Sequence, residues 1–456
     1  MEILKKRFSW LSERNLLVLL LLFCAAFGAY TANHLTQAFR SAVLFPWAMG
    51  MIYYALRRRE LSRTAPLVWN CAGIAVVAVT AILRSELDTE WAHSIWLYAI
   101  CAFFLLALPR KMTTRKQHTE LLSIGAMFVT LFLPFALLCI VSIFTGCQFN
   151  LPAIEKPLGV ITEGSVGSRI VVFAHPNTTS RFAVFNILFC IYALYRLRRR
   201  SVRTYFALNI LVNTIILAHT QSRTCYIALA AGMAAIAFRG LFLMKKTGKW
   251  RFPAAVVAAA AAFALTLAAL NGLYKLDVMI AQSMPYAKAA AASVQTRAEV
   301  EGQFDVFSNG RDDIWVSTIR YLLDNPKYLI TGMGAGNLVS RIGESYPAIL
   351  PHLNIHNTYL ESLARYGAGY LLCMLGFLCS MLVPVVQILL TPTSKNNRGM
   401  YIFSVMIGVI LVMSIPEEML FTSTRWPNLL FYFLCGHVLH AAYLQKSEKT
   451  VPEETT

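Results

Sequence analysis

Apolar residues in this chain come in long blocks separated by short polar joints. Twelve such blocks can be drawn, at 15–32, 41–56, 65–83, 91–109, 120–145, 182–195, 204–220, 224–243, 253–272, 367–390, 400–415 and 427–444. A run of roughly 17–25 apolar residues crosses the hydrocarbon of a bilayer as a helix, because a helix satisfies its own backbone polar groups where water is absent. The second and sixth blocks are short. The pattern predicts an all-α polytopic membrane protein of about twelve transmembrane helices. The expected division is 1–272 for helices one to nine with short loops, 273–366 for one large, partly helical loop, 367–444 for helices ten to twelve, and 445–456 for a tail.

Composition agrees with this reading. With 57% apolar and 14% charged residues over 456 positions, the chain carries too much hydrophobic surface for a soluble domain. Charge adds a direction. Cytoplasmic loops collect Lys and Arg, and if the N-terminus lies inside, so do the segments around 57–63, 110–118, 196–203, 239–251 and 391–398 and the C-terminal tail. Together with the N-terminus they hold 26 of the 41 basic residues and, with Glu120 counted at their edge, only 7 of the 23 acids. The formal net charge of +18 is therefore read as topology, N-in and C-in, and not as affinity for nucleic acid. The charged start and apolar run of "KKRFSWLSERNLLVLLLLFCAAFGA" resemble a signal peptide, but the alternating charges work with the run retained as an anchor. The ten cysteines show no C-x-x-C pair and no disulfide framework.

Two outward segments exceed ordinary connections, 146–181 and 273–366, and long ordered loops usually carry function. Within the larger, "MIAQSMPYAKAAAASVQTRAEVEG" reads as an Ala-rich helix broken near Pro285. A second helix is better marked: Ser308 or Asn309 as cap, Asp312 and Asp313 in the first turn, Ile314, Trp315, Ile319 and Leu322 as an apolar side, and Pro326 as terminator. Arg311 then sits at the positive end of a helix dipole, a place that suits an anion better than a cation. Either Arg311 and the free amides face a common anionic ligand, or Arg311 pairs with Asp312 or Asp313.

"NIHNTYLESLARYGAGYL" (354–371) closes the loop. Asn354 or Asn357 can cap a helix there, with Glu361 and Arg365 as an i,i+4 pair and His356 at the outer membrane boundary. His352 and His356 have the spacing of two ligands on one helical face, but Pro351 spoils that geometry and no H-E-x-x-H is present. "AHTQSRTCYIAL" (218–229) leaves about four residues between two apolar runs. Arg223 is thereby held at the outer edge of a tight hairpin, where it either snorkels to headgroups or binds a ligand. Arg169 and Arg181 flank "IVVFAHPNTTS". "GMGAGN" (332–337) lacks the G-K-[ST] ending of a phosphate loop and reads as a flexible turn. "PEEMLFTSTR" (416–425) places Glu417, Glu418 and Arg425 at another outer edge, as an ion-pair cluster or as acceptor contacts.

"TQSR" before the eighth span, "NGR" opening a helix in the large loop and "HN..LE" just before the tenth span, set in this architecture, resemble the bacterial O-antigen ligases. Their superfamily also holds O-antigen polymerases and protein O-oligosaccharyltransferases. The resemblance implies a metal-independent, nucleotide-independent glycosyltransferase of the inner membrane, with its active site facing the periplasm. It would transfer O-antigen polysaccharide from undecaprenyl pyrophosphate to a sugar hydroxyl of lipid A-core. The family's functional arginines carry over onto Arg223 and Arg311 as pyrophosphate-binding residues, and its catalytic histidine onto His356, with His352 as the neighbouring alternative. Arg169, Arg181, His352 and Arg425 are candidate donor or acceptor contacts. The implied partners are the lipid-linked glycan donor, the lipid A-core acceptor and membrane lipid, without nucleic acid, and the implied cofactors are none. Polymerase and oligosaccharyltransferase remain alternatives within the superfamily. A twelve-helix transporter or flippase is the alternative from another class, and it would show charges near the bilayer midplane.

Overall fold

The computed structural model describes residues 13–27, 39–57, 64–84, 100–108, 112–145, 147–150, 158–163, 167–172, 175–244, 250–283, 311–334, 336–349, 354–392, 399–421 and 426–450. The first part comprises α1 (Glu13–Phe27), α2 (Phe45–Arg57) behind a π-helical turn at Arg40–Leu44, α3 (Ala65–Leu83), a π-helical stretch at Ile100–Leu106, and α4 (Thr114–Thr145). An antiparallel hairpin of β1 (Gly159–Glu163) and β2 (Gly167–Val171), which pairs Ile161 with Arg169, leads into α5 (Pro176–Arg196). Then follow α6 (Arg200–Thr220), α7 (Arg223–Phe242), α8 (Arg251–Ser283), α9 (Arg311–Asp324), α10 (Lys327–Thr331), α11 (Leu338–Gly343), α12 (Thr358–Leu390), α13 (Tyr401–Ser414) and α14 (Trp426–Thr450).

Among the described residues seven helices are long and apolar enough to cross a membrane: α3 to α7, Arg251–Leu276 of α8, and α12. The shorter apolar stretches Ala42–Tyr53 and Tyr401–Ser414 coincide with two further expected blocks. The chain is a helical, multi-pass membrane protein.

Helix α5 is the core of the bundle, with 83% of its apolar window buried. Phe182, Phe185 and Phe189 line it, and the Phe182 ring lies 4.5 Å from that of Trp426 at the start of α14. A polar chain runs through it: Asn186 donates to Asn213 of α6 at 3.1 Å, and Asn213 donates to the Asn209 carbonyl at 2.8 Å. The sequence pattern starts this helix at 182, but it begins at Pro176. The polar turn PNTTSR belongs to it and is buried against protein, where apolarity is not required.

Side chains at the helix ends sort into two sets. In one, Arg14 pairs with Glu120 at 3.2 Å, Gln117 donates to the His437 carbonyl at 2.6 Å, His440 meets the Met112 carbonyl at 2.8 Å, and Arg239 reaches the Thr391 carbonyl at 3.2 Å. In the other, Arg84 donates to the Thr331 carbonyl, Gln221 meets Tyr274 at 3.2 Å, Arg181 pairs with Glu417, and Arg311 donates to the Pro416 carbonyl. The Arg14–Glu120 and Arg239–Thr391 pairs, and all four of the second set, join segments that the charge pattern assigns to one side, whereas His437 and His440 lie within the expected span 427–444.

On the second side, α9 to α11 and a 3-10 turn at Pro347–Ile349 fold around their own small core, with Ile314, Leu322, Met333, Leu338, Ile342 and Ile355 buried together. Of the expected apolar side of α9, Ile314 and Leu322 are buried, but Ile319 is 47% exposed. Thr318 takes its place inside, its hydroxyl satisfied by the Ile314 carbonyl at 2.7 Å.

The module is fastened to α12 at a break in that helix. Gly367 has φ 80° and ψ 176°, a conformation open essentially to glycine alone. The break frees the Ala364 and Arg365 carbonyls, which accept from the backbone N–H groups of Met333 (2.7 Å) and Gly334 (3.0 Å). A Cβ on Gly332 would lie 2.1 Å from the Arg365 carbonyl oxygen, and one on Gly367 would lie 2.2 Å from that of Ile330. "GMGAGN" is thus not the flexible turn that its composition predicts. Its glycines allow two backbones to touch, and the contact caps the half-helix 358–366.

Candidate functional site

The half-helix between Thr358 and the Gly367 break is capped by Asn357, whose side chain accepts from the amides of Tyr359 (3.0 Å) and Leu360 (2.9 Å). This satisfies two of the amides that a helix start leaves open. Immediately before the cap, His356 has φ 55°, in the left-handed region that few non-glycine residues visit. The i,i+4 pair expected at Glu361 and Arg365 is present at 2.7 Å, with Glu361 buried. Thr358 locks the half-helix onto the segment linking α13 to α14. Its hydroxyl donates to the Glu417 carbonyl (2.9 Å) and accepts from Met419 N (3.0 Å).

The Glu417 side chain is the hub of the site. Oε2 pairs with Arg181 Nη2 at 2.7 Å, and Oε1 accepts from Arg311 Nη2 at 3.1 Å and from Asn177 Nδ2 at 2.8 Å. Arg311 also donates to the Pro416 carbonyl at 2.6 Å. Nδ1 of His356 lies 4.0 Å from Oε2. The carboxylate is 8% exposed and the imidazole 29%. Burial pushes the Glu417 carboxyl up, but Arg181, Arg311, His356 and His175 together outweigh it and hold the group below its ordinary value. Glu417 is therefore ionised at neutral pH. Two guanidinium charges against one carboxylate leave the cluster cationic, and arginine has more donors than these pairs use.

The structure thus brings together three residues that the sequence places far apart: Arg311 from the loop module, His356 from the start of α12 and Arg181 from α5. Arg311 pairs with Glu417, a partner outside both sequence alternatives, ligand or adjacent aspartate. Arg223 is the first residue of α7, after a hairpin whose Gln221 has φ 50°. Two residues on, the Cys225 thiol is 3.1 Å from the Ser180 hydroxyl and lies in the field of Arg181 and Glu417, which sets the N-terminal turn of α7 beside the cluster. Arg169 is in β2 opposite Ile161. His352 and Arg425 lie outside the described residues.

Glu417, Asn177 and His175 are the site residues whose place is visible only in three dimensions. Glu417 stood out as an acid in an outer segment, but its role as the common partner of two distant arginines depends on how α5, α9 and α13 converge. His175 accepts from the Asn177 amide at 3.1 Å at the start of α5, so "AHPN" contributes two members of the cluster. Residues 208–375 match the family model described as O-antigen ligase, a stretch that includes Arg223, Arg311 and His356 but neither Arg181 nor Glu417. No curated protein matches the chain at a significant level.

Proposed function

We propose, from the premise that this chain is a member of the O-antigen ligase family through residues 208–375, that it transfers a polysaccharide from undecaprenyl pyrophosphate to a sugar hydroxyl of lipid A-core. The observation that carries this reading is the meeting of Arg311, Arg181 and His356 on the buried Glu417 carboxylate. The end of the bundle that holds Arg14 and Arg239 adjoins the Lys- and Arg-rich segments and is read as cytoplasmic, so that in a twelve-crossing arrangement both termini lie on the cytoplasmic side of the inner membrane and the cluster faces the periplasm. Donor and acceptor are both lipid-anchored and meet there in two dimensions.

His356 takes the proton of the acceptor hydroxyl as that oxygen attacks the anomeric carbon. The bond from that carbon to the pyrophosphate breaks, and its electron pair leaves with the lipid diphosphate. Positioned proton removal contributes typically about 10²–10⁴-fold. Arg311 and Arg223 hold the departing diphosphate, whose charge grows as the bond breaks, so their attraction is strongest in the transition state. Glu417 is a positioning residue: it aims Arg311 and Arg181 and stabilises the imidazolium that forms on His356. Direct displacement inverts the anomeric centre.

The test uses purified protein in liposomes with lipid-linked glycan and lipid A-core. Wild type is expected to form the joined product and to keep doing so with chelator added. Arg223→Ala, Arg311→Ala and His356→Ala are expected to insert normally and to lose the product. Product from all three at normal yield would remove the assigned site. Glycan chains lengthened on the donor lipid, with none on lipid A-core, would make the chain a polymerase.

A further inference from the structure

Helix α9 has two apolar faces, and the module's core uses only one. Ile314, Thr318 and Leu322 are buried, whereas Val316, Ile319 and Leu323 are 45, 47 and 64% exposed. At 3.6 residues per turn the exposed three span an arc of about 60°, centred roughly 130° from the buried face. This is a separate stripe, not the margin of the core. On the neighbouring α10, Ile330 is also exposed, at 74%.

The surroundings of the stripe are those of a helix lying in a membrane interface. Arg320 and Lys327 are exposed beside it, and Lys327 Nζ is 4.8 Å from the Tyr328 ring. Aromatic rings with a wet edge, and cations on long stems, favour the headgroup level. The position fits as well. Thr331 at the end of α10 accepts from Arg84 at the end of α3, and the last turn of α3 exposes Ile82 and Leu83 at 58 and 67%. The stripe therefore continues the lipid-facing perimeter of α3.

We propose that the Val316, Ile319, Leu323 and Ile330 face is seated in the lipid leaflet at this end of the bundle, with phospholipid acyl chains against it and Arg320 and Lys327 at the phosphates. Arg311, the first residue of α9, then stands at headgroup depth. Given the function proposed above, that is where the diphosphate of a polyprenyl-linked donor lies.

The test is depth measurement by spin labelling of the full chain in nanodiscs of phosphatidylethanolamine and phosphatidylglycerol. Cysteines are introduced one at a time at Ile319, Leu323 and, as the polar control, Asp313, with the exposed Cys147 and Cys379 changed to serine. Nitroxides at Ile319 and Leu323 are expected to be relaxed more by oxygen than by a water-soluble nickel chelate, with the reverse at Asp313. If the chelate reaches Leu323 as readily as Asp313, the face is in water and the proposal fails. If neither relaxant reaches it, protein covers the face, from a second copy or from residues 284–310, and the proposal fails equally. The measurement needs no turnover, so transfer activity assayed on the same discs separates failure of the lipid seat from failure of the functional reading.

Discussion

Glu417 is a buried carboxylate that stays charged because two guanidiniums and two imidazoles surround it. Its folded-state proton affinity lies below the unfolded one, so its stabilisation is complete above the ordinary glutamate value of about 4.3 and is lost as the pH falls through the depressed folded value. The thermal midpoint of the wild type is therefore expected to drop below pH ~4.3 more steeply than that of Glu417→Gln, measured by fluorescence-monitored melting in detergent. Parallel acid limbs would remove the ion-pair account. At neutral pH, Glu417→Ala leaves the buried Arg181 without its carboxylate, a change expected to cost about 3–5 kcal/mol, read as a lower midpoint. His356 calls for a different substitution. Its φ of 55° suits asparagine, which visits the left-handed region more readily than most residues. His356→Asn should therefore melt within about 1 kcal/mol of wild type while its turnover falls about 10²–10⁴-fold. Turnover unchanged in this variant would exclude His356 as the base.

At the scale of elements, the half-helix 358–366 is held at three places: by Asn357 at its start, by Thr358 against the 416–421 segment, and by the Met333 and Gly334 amides at its end. Gly367→Ala adds a Cβ 2.2 Å from the Ile330 carbonyl oxygen in a backbone conformation that costs about 1–3 kcal/mol for a non-glycine residue. The expected outcome is faster limited proteolysis of residues 311–349 with the transmembrane helices intact; an unchanged cleavage rate would show that the Gly332–Gly367 contact does not fasten the module. These elements also mark how far the sequence could be read. The Asn357 cap, the Glu361–Arg365 pair and the helix opening at Arg311 depend on neighbours within four residues, and all were legible. Ile319 was misread because a periodic pattern counts apolar residues without saying which of two faces meets protein. The first turn of α5 was missed because polar residues buried against other helices look like a loop. The role of the "GMGAGN" glycines lies in a contact with residues some thirty positions away, which no local pattern encodes.

For the molecule as a whole, the block pattern and the basic asymmetry predict an alternation, and among the described residues pairs such as Arg14–Glu120 and Arg181–Glu417 each join segments that share a predicted side. With Cys147 and Cys379 changed to serine, a cysteine introduced at Ser201 is accordingly expected to resist a membrane-impermeant maleimide in intact cells, while one introduced at Lys327 reacts; the opposite labelling would invert the topology. The long-range convergence on Glu417 needed the fold, since its partners come from α5, α9 and the start of α12. What the cluster serves is tested most directly by lipopolysaccharide from a strain lacking its own O-antigen ligase. Wild-type chain is predicted to restore the ladder of polymer-bearing species on a gel, and Arg311→Ala, at equal expression, to leave lipid A-core bare. A bare core with the wild type, together with restored chain length in a polymerase-deficient strain, would contradict the ligase reading.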